Sequence, residues 1–160
     1  MILTAAALAA CSPDVPSAPL VSNAQDLEAA AIERGLVRDP QATEIAGLYA
    51  RDTDRVCIVP DGAGQRIGVV VDYGQGVACN ARGAVVPSGE RMRVTFSESC
   101  TFEARYDGER IAFPGRLPDG CQALCRGRAS LAGLEVARLS ESLAEARAMR
   151  DARGRLPCRG

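Results

Sequence analysis

The amino-acid sequence predicts an α+β fold, mainly an antiparallel β meander or small barrel, that is stabilised by disulfides and carries three helices. Three observations support this prediction. Polar and apolar residues alternate with a period of two between Arg55 and Phe113, which is typical of half-buried strands. Turn signals separate these runs, and six cysteines lie between residues 57 and 158. Helix-capping residues precede three further segments.

A short apolar run opens the chain and ends on a cysteine. Residues 2–10 are uncharged, and nine residues are too few for the roughly 20 that cross a bilayer. The run has the length of a signal-peptide core. It ends in Leu8, the small residues Ala9 and Ala10, and Cys11, which resembles the lipobox of bacterial lipoproteins. The resemblance implies cleavage before Cys11 and lipid on its thiol and its new amine. The basic residues that usually precede such a run are missing, and the alternative is a first helix of a cytosolic protein.

A proline-rich segment follows the cysteine. Pro13, Pro16 and Pro19 disfavour helix and favour an extended tether. The lipoprotein resemblance implies a bacterial cell-envelope location facing the periplasm, with the membrane contacted through the N-terminal lipid. Ser12, where an aspartate would retain a lipoprotein at the inner membrane, favours the outer membrane. The predicted segments are a signal peptide (1–10), a lipidated tether (11–22), an N-terminal helix with a linker (23–43), and a disulfide-stabilised β-rich domain (44–160).

The helices are predicted from their end signals. A helix start is marked by a Ser or Asp whose side chain accepts a hydrogen bond from a backbone amide of the first turn, with Glu or Gln three residues later. Glycine often follows the last turn. The predicted helices and their signals are residues 22–36 (Ser22, Gln25, Gly35), residues 119–127 (Asp119, Gln122, Gly127) and residues 142–154 (Ser142, Glu145).

The strands are predicted from the alternation itself. They are residues 55–59, 66–73, 77–86, 91–96, 100–106, 110–113 and 134–139. The pair Ser88-Gly89 reverses the chain between two of these runs. Asp107-Gly108 is the strongest hairpin signal, because a type I′ turn requires positive φ at both of its central positions.

Cysteine usage agrees with an exported domain. Without Cys11, an even number remains, which indicates disulfides rather than free thiols or a metal site. The predicted disulfide cysteines are Cys57, Cys79, Cys100, Cys121, Cys125 and Cys158. One set of pairings joins Cys79 with Cys100, Cys57 with Cys158, and Cys121 with Cys125. If residues 119–127 are helical, the last two cysteines share one face, and each pairs instead with one of the other four.

The sequence contains few candidates for catalytic residues. It contains no histidine, the commonest general base, and no pairing of a nucleophile with a base can be assembled. Asp61, Asp107 and Asp119 lie in turns that use aspartate for backbone bonding. Asp72 is expected to face solvent at a strand end. We therefore predict no catalytic residues, no cofactor and no metal.

The predicted function is that of a structural or partner-binding module of the envelope, with an envelope protein as the expected partner and the ligand unknown. A net charge of −1 argues against nucleic acid. The alternative is a periplasmic inhibitor of a lysozyme-like enzyme. Membrane-bound inhibitors of c-type lysozyme use a Ser-Gly-x-x-Tyr loop, which Ser88 and Gly89 resemble, although Met92 stands in place of the tyrosine. The arginine-only basic residues and the six cysteines also resemble small alphaproteobacterial lipoproteins, a resemblance that implies no function.

Overall fold

The computed structural model describes residues 20–34, 36 and 44–159, in two compact units that are divided after Val37. Cys11, the predicted signal peptide and the tether as far as Pro19 lie outside the described residues. Within the described part of the chain, no helix combines the length and the hydropathy needed to cross a membrane.

The first unit contains helix α1 (Leu20–Glu33). The helix includes Leu20 to Ser22, which the sequence assigned to the tether, because Pro19 is the last proline before it and no helix breaker follows. At its end, the amide of Leu36 donates to the carbonyl of Ala31 at 2.9 Å. This bond closes the last turn and satisfies one of the carbonyls that a helix terminus leaves without a partner.

The second unit is a closed antiparallel β-barrel, as the sequence predicts. Its strands are β1 (Gly47–Arg51), β2 (Asp54–Asp61), β3 (Gly64–Asp72), β4 (Ala78–Ser88), β5 (Arg91–Ser97), β6 (Cys100–Tyr106), β7 (Arg110–Ala112), β8 (Cys125–Arg126) and β9 (Glu135–Ser140). Strands β1 to β7 follow one another around the barrel, and β9 closes the ring by pairing with both β7 and β1. The two-residue β8 pairs with β4 outside the ring. The period-two pattern did not predict β1 or β8.

Apolar side chains fill the interior of the barrel. The inward positions of β2, β3 and β5 carry fully buried side chains, which are Val56, Ile58, Ile67, Val69, Met92 and Val94. The rings of Phe102 and Phe113 pack edge to face with their centroids 4.9 Å apart. An eight-stranded barrel is just wide enough for its own side chains to fill it. In this barrel the interior is occupied by its own buried side chains.

One end of the barrel is closed by a cap segment, residues 113–134, which connects β7 to β9. Leu131 and Leu134 of this segment belong to the same buried cluster as the barrel interior. Two disulfides, Cys100–Cys121 and Cys79–Cys125, attach the segment to β6 and β4. The cap segment therefore seals this end both by apolar packing and by covalent bonds.

The opposite end is closed by a polar plug around Arg138. Its guanidinium donates to the carbonyls of Ala46 at 2.9 Å and Glu44 at 3.1 Å, and to the hydroxyl of Tyr106. It also lies 4.9 Å from the centroid of the Tyr49 ring, within cation–π distance. These contacts hold the segment that enters β1 across the end of the barrel.

The outer side of β2 and β3, here called the covered face, is buried by the chain itself. Helix α2 (Leu143–Ala148) and a C-terminal strap, residues 149–159, pack against it. The buried side chains between them are Cys57, Val59, Val70, Ala146, Met149 and Cys158. A Cβ on Gly68 would lie 2.6 Å from Cβ of Pro157, so glycine is required where the strap crosses β3. Arg66 and Arg82 both donate to the carbonyl of Arg159.

Two predicted helices are shorter than their capping signals indicate. The cysteine-bearing helix is a 3₁₀ helix (Asp119–Leu124) without a side-chain cap, and Cys125 lies in β8 rather than in the helix. Helix α2 begins as predicted, with the Ser142 side chain accepting from the amide of Glu145. It ends at Ala148 rather than at residue 154, because the Asp151 carboxylate accepts from two amides of the following turn.

The predicted type I′ turn at Asp107-Gly108 is wrong. Three residues connect β6 to β7, and only Gly108 among them has a positive φ, of 96°. The Asp107 carboxylate accepts from the amides of Glu109 at 3.0 Å and Arg110 at 2.7 Å. The aspartate therefore stabilises the turn through its side chain, and not through a left-handed backbone.

The six cysteines of the barrel unit form three disulfides, and one of the predicted pairings is confirmed. Cys57 is bonded to Cys158. The predicted Cys79–Cys100 bond is wrong because β5 lies between β4 and β6 in the sheet, which keeps these two cysteines apart. The predicted Cys121–Cys125 bond is wrong as well. The observed bonds, Cys79–Cys125 and Cys100–Cys121, confirm the alternative in which Cys121 and Cys125 each pair with one of the other four cysteines.

Candidate functional site

Three of the four acids that the sequence singles out bond locally, whereas no side-chain cap is formed at the 3₁₀ helix that Asp119 begins. Asp72 accepts the amide of Gly74 at 2.8 Å and fixes the β3–β4 loop. Asp61 pairs with Arg66 at 2.6 Å. The described residues contain no cluster of three or more His, Cys, Asp or Glu side chains that could hold a metal ion.

The Ser88-Gly89 segment forms the tip of the β4–β5 hairpin. Ser88 and Arg91 are paired, so Gly89 and Glu90 make a two-residue turn in which Gly89 has a φ of 59°. Met92, at the position where the lysozyme-inhibitor motif has tyrosine, is fully buried in the barrel. A partner at this hairpin would therefore contact the exposed tip and not Met92.

Asp54 is a buried acid that the sequence did not single out. It begins β2, on the same inward side as Val56 and Ile58, and is only 5% exposed. Its Oδ1 atom has no hydrogen-bond partner, and its Oδ2 atom lies 3.8 Å from Arg51. Desolvation raises the pKa of the Asp54 carboxyl above its ordinary 3.8, and the attraction of Arg51 offsets this only in part.

We expect Asp54→Asn to raise the melting temperature at neutral pH. The folded-state pKa is raised, so the folded protein favours the protonated carboxyl, and ionisation at higher pH destabilises the fold. Below the unfolded-state pKa of 3.8, both states are protonated and this cost disappears. Thermal unfolding of both proteins at about pH 7 and about pH 3 measures the effect. At the higher pH the asparagine variant should have the higher melting temperature, and at the lower pH the difference between the two proteins should be smaller. An equal difference in melting temperature at both pH values would contradict this explanation.

A charged and exposed surface lies on the outer side of β5, β6, β7 and β9. This surface, here called the open face, is defined by Arg91, Arg93, Glu103, Arg105, Arg110, Ala112 and Glu135. These residues point outward because their neighbours along each strand, such as Val94, Ala104 and Ile111, face the interior. The open face borders the Ser88-Gly89 hairpin tip.

Charges on the open face are paired unevenly. Glu103 forms ion pairs with both Arg91 at 3.3 Å and Arg93 at 3.8 Å. Arg110 lies 3.9 Å from Glu135. Arg105 stands directly opposite Arg91 in the β5–β6 register, and like charges in that arrangement repel. Exposed ion pairs of this kind contribute little to stability, so these side chains remain free to exchange partners.

Two adjoining hollows indent the open face. One has a volume of about 270 Å³ and is bordered by Glu90, Arg105, Arg110 and Glu135, with the small side chain of Ala112 in its wall. The other, of about 410 Å³, is bordered by Glu90, Arg91, Glu103 and Arg105. Glu90 and Arg105 line both hollows, so the two hollows meet at these side chains.

Exposed apolar side chains flank the open face. Val86, on β4, is 60% exposed and stands opposite Arg93 in the β4–β5 register. Leu139, on β9, is 62% exposed. Charged residues between isolated apolar side chains offer a partner both polar and apolar contacts.

No protein-family model, curated protein or solved structure matches this chain.

Proposed function

We propose that the protein is a lipid-anchored module of the bacterial cell envelope, attached through Cys11, that binds a periplasmic partner on its open face. The observation that carries the binding role is the contrast between the two sides of the barrel. The C-terminal strap and α2 bury the covered face, whereas the open face keeps its charged side chains and its two hollows accessible.

The proposed attachment rests on the lipobox-like end of the apolar run at Cys11. The mass of the mature N-terminus tests it directly. A diacylglyceryl group on a chain that begins at Cys11 is the expected result. An intact Met1, or an unmodified Cys11 in a soluble fraction, would rule the attachment out.

The proposed binding role is tested by site-specific photo-crosslinking in cells. The photo-crosslinking residue, a benzophenone amino acid, replaces Val86 or Leu139, which both border the open face. The control carries the same amino acid in place of Tyr73. Tyr73 is 62% exposed, like Leu139, but lies in the β3–β4 loop at the capped end. A defined adduct is expected from Val86 and Leu139, not from Tyr73, and it should be lost when Arg105→Gln is added. The same adducts from all three positions, or none, would contradict the proposal.

The inhibitor alternative makes a separate prediction at the hairpin tip. Ser88→Trp would place a bulky ring on the exposed turn beside the larger hollow without altering the buried Met92. If purified protein inhibits a c-type lysozyme and Ser88→Trp abolishes the inhibition, the alternative replaces the proposal. We expect lysozyme activity to be unchanged by either protein.

A further inference from the structure

Glu90 and Arg105 carry opposite charges on the shared wall of the two hollows, yet they do not neutralise each other. Within the described residues, neither side chain takes part in an ion pair at 4.0 Å or less. The two side chains therefore present a carboxylate and a guanidinium, both without a charged partner, to the same concave space. Such a pair can bind a ligand that supplies one charge to each of them.

The positive side of this space is built from the β5–β6 pairing. Arg91 stands directly opposite Arg105, and a single carboxylate, Glu103, is shared between Arg91 and Arg93. Three guanidinium groups therefore face one carboxylate along these two strands. An anion placed between Arg91 and Arg105 would relieve the repulsion between them, and each guanidinium can donate two parallel hydrogen bonds to a carboxylate.

The negative side is built from the two turns at the plugged end. Glu90 follows Gly89 in the β4–β5 turn, and its carbonyl accepts the amide of Tyr106 at 2.8 Å. This bond holds the hairpin tip beside the β6–β7 loop. Asp107, in that loop, uses Oδ1 for two backbone amides and also lines the smaller hollow. A cation in this part of the hollow would be attracted by both carboxylates.

We propose that the two hollows together bind a zwitterionic amino-acid group, with its carboxylate on Arg105 and Arg91 and its ammonium on Glu90. This inference rests on the proposed binding role of the open face and names the chemistry of what the face binds. The adjoining hollows, of about 270 Å³ and about 410 Å³, have room for one or two small amino-acid residues that remain partly open to solvent. Ala112, which is paired with Arg105 in the β6–β7 register, contributes only a small side chain to the wall of this hollow.

Nuclear magnetic resonance titration of the 160-residue chain with the dipeptide alanyl-alanine tests the inference. N-acetyl-alanyl-alanine, which keeps only the carboxylate, and alanyl-alanine amide, which keeps only the ammonium, are the matched ligands. The dipeptide is expected to shift the backbone amides of Glu90, Arg105 and Ala112. Each capped form should bind at least about tenfold more weakly, because each loses one charged contact.

The variants Arg105→Gln and Glu90→Gln should each weaken dipeptide binding about tenfold. The control variants Arg116→Gln and Glu98→Gln change exposed charges at the capped end of the barrel, and they should leave the affinity for the dipeptide unchanged. Equal affinity for the capped forms, shifts elsewhere, or no shifts would overturn the inference. If the crosslinked adduct persists while the dipeptide fails to bind, the zwitterion inference alone fails. If the dipeptide binds and no crosslinked adduct forms, only the proposal of a macromolecular partner on the open face is contradicted.

Discussion

Replacing Cys57 and Cys158 together with alanine is expected to lower the free energy of unfolding by about 4–5 kcal/mol, the largest effect of any single disulfide in this protein. The bond closes a loop of 101 residues, and the entropy that a cross-link removes from the unfolded chain grows with loop length. Its loss also weakens the hold of the C-terminal strap on the covered face, where Cys57 and Cys158 are both buried. Urea unfolding at neutral pH measures the change.

The matched control removes Cys100 and Cys121, which close a loop of 21 residues at the capped end. Chain entropy alone assigns this bond about 3 kcal/mol, so the two double variants should rank in the order of their loop lengths. The variant that lacks the Cys57–Cys158 bond could instead lose less than about 1 kcal/mol of unfolding free energy. In that case the strap is held by its packing and hydrogen bonds, and the entropic explanation is wrong.

The second large effect is expected at Arg138, where Arg138→Met should cost about 3 kcal/mol or more. Methionine retains an apolar stem of similar length but cannot donate to the carbonyls of Ala46 and Glu44. The Tyr106 hydroxyl and the Tyr49 ring lose their cationic partner as well. The part-buried carbonyl of Ala46 loses this donor, whereas the Glu44 carbonyl still accepts from the Tyr106 hydroxyl at 3.1 Å. The Ala46 carbonyl and the lost contacts of the cation with the two tyrosines therefore account for most of the cost.

Thermal and urea unfolding of three proteins test this role. Arg138→Lys keeps the charge but not the planar fork of donors, so its stability should lie between those of the wild type and Arg138→Met. Arg147→Met changes an exposed arginine on α2 and should alter stability by less than about 0.5 kcal/mol. Equal losses for Arg138→Met and Arg147→Met would show that the plug does not hold the end of the barrel.

The strands of the barrel were predictable because each is apolar on one side only. The runs RMRVTF and CTFEARY alternate strictly, and the structure places both as antiparallel neighbours. β1 was missed because it is only five residues long and contains glycine, and its place beside β9 depends on a pairing with residues almost 90 positions away (Tyr49 with Arg138). Period-two patterns reveal strands, but they do not reveal which distant strands close a barrel.

The disulfide pairings, like the closure of the barrel, depend on long-range contacts that the sequence pattern does not reveal. Their even number was enough to predict three disulfides, since pairing in an oxidised domain uses all of them. The pairings depend on which strands are adjacent. Cys79 and Cys100 lie at similar distances from the Ser88-Gly89 turn, but β4 and β6 are separated by β5, and the cap segment supplies the actual partners.

The candidate site was visible in the sequence only as outward-facing positions. Alternation places Arg91, Arg93, Glu103 and Arg105 on the outer surface, but the register decides that Arg91 faces Arg105 and that Arg93 faces Glu103. Asp54 gave no signal, because a polar residue at the start of a strand is ordinarily exposed. In the structure Asp54 is nevertheless only 5% exposed, on the inward side of β2.

The Cys57–Cys158 bond has a mechanical consequence when the chain is pulled between its N-terminal and C-terminal ends. Tension would enter the barrel unit at Glu44 and pass along β1 into β2, where it meets Cys57. From there the bond transmits the pull directly to Cys158, and the 101-residue segment between them carries none of it. Within the barrel unit, extension under this load is then limited to the thirteen residues from Glu44 to Val56, or roughly 45 Å at full stretch. Such a pull would strip β1 from its neighbours but would not unravel the strands that form the open face, since all of them lie inside the closed loop.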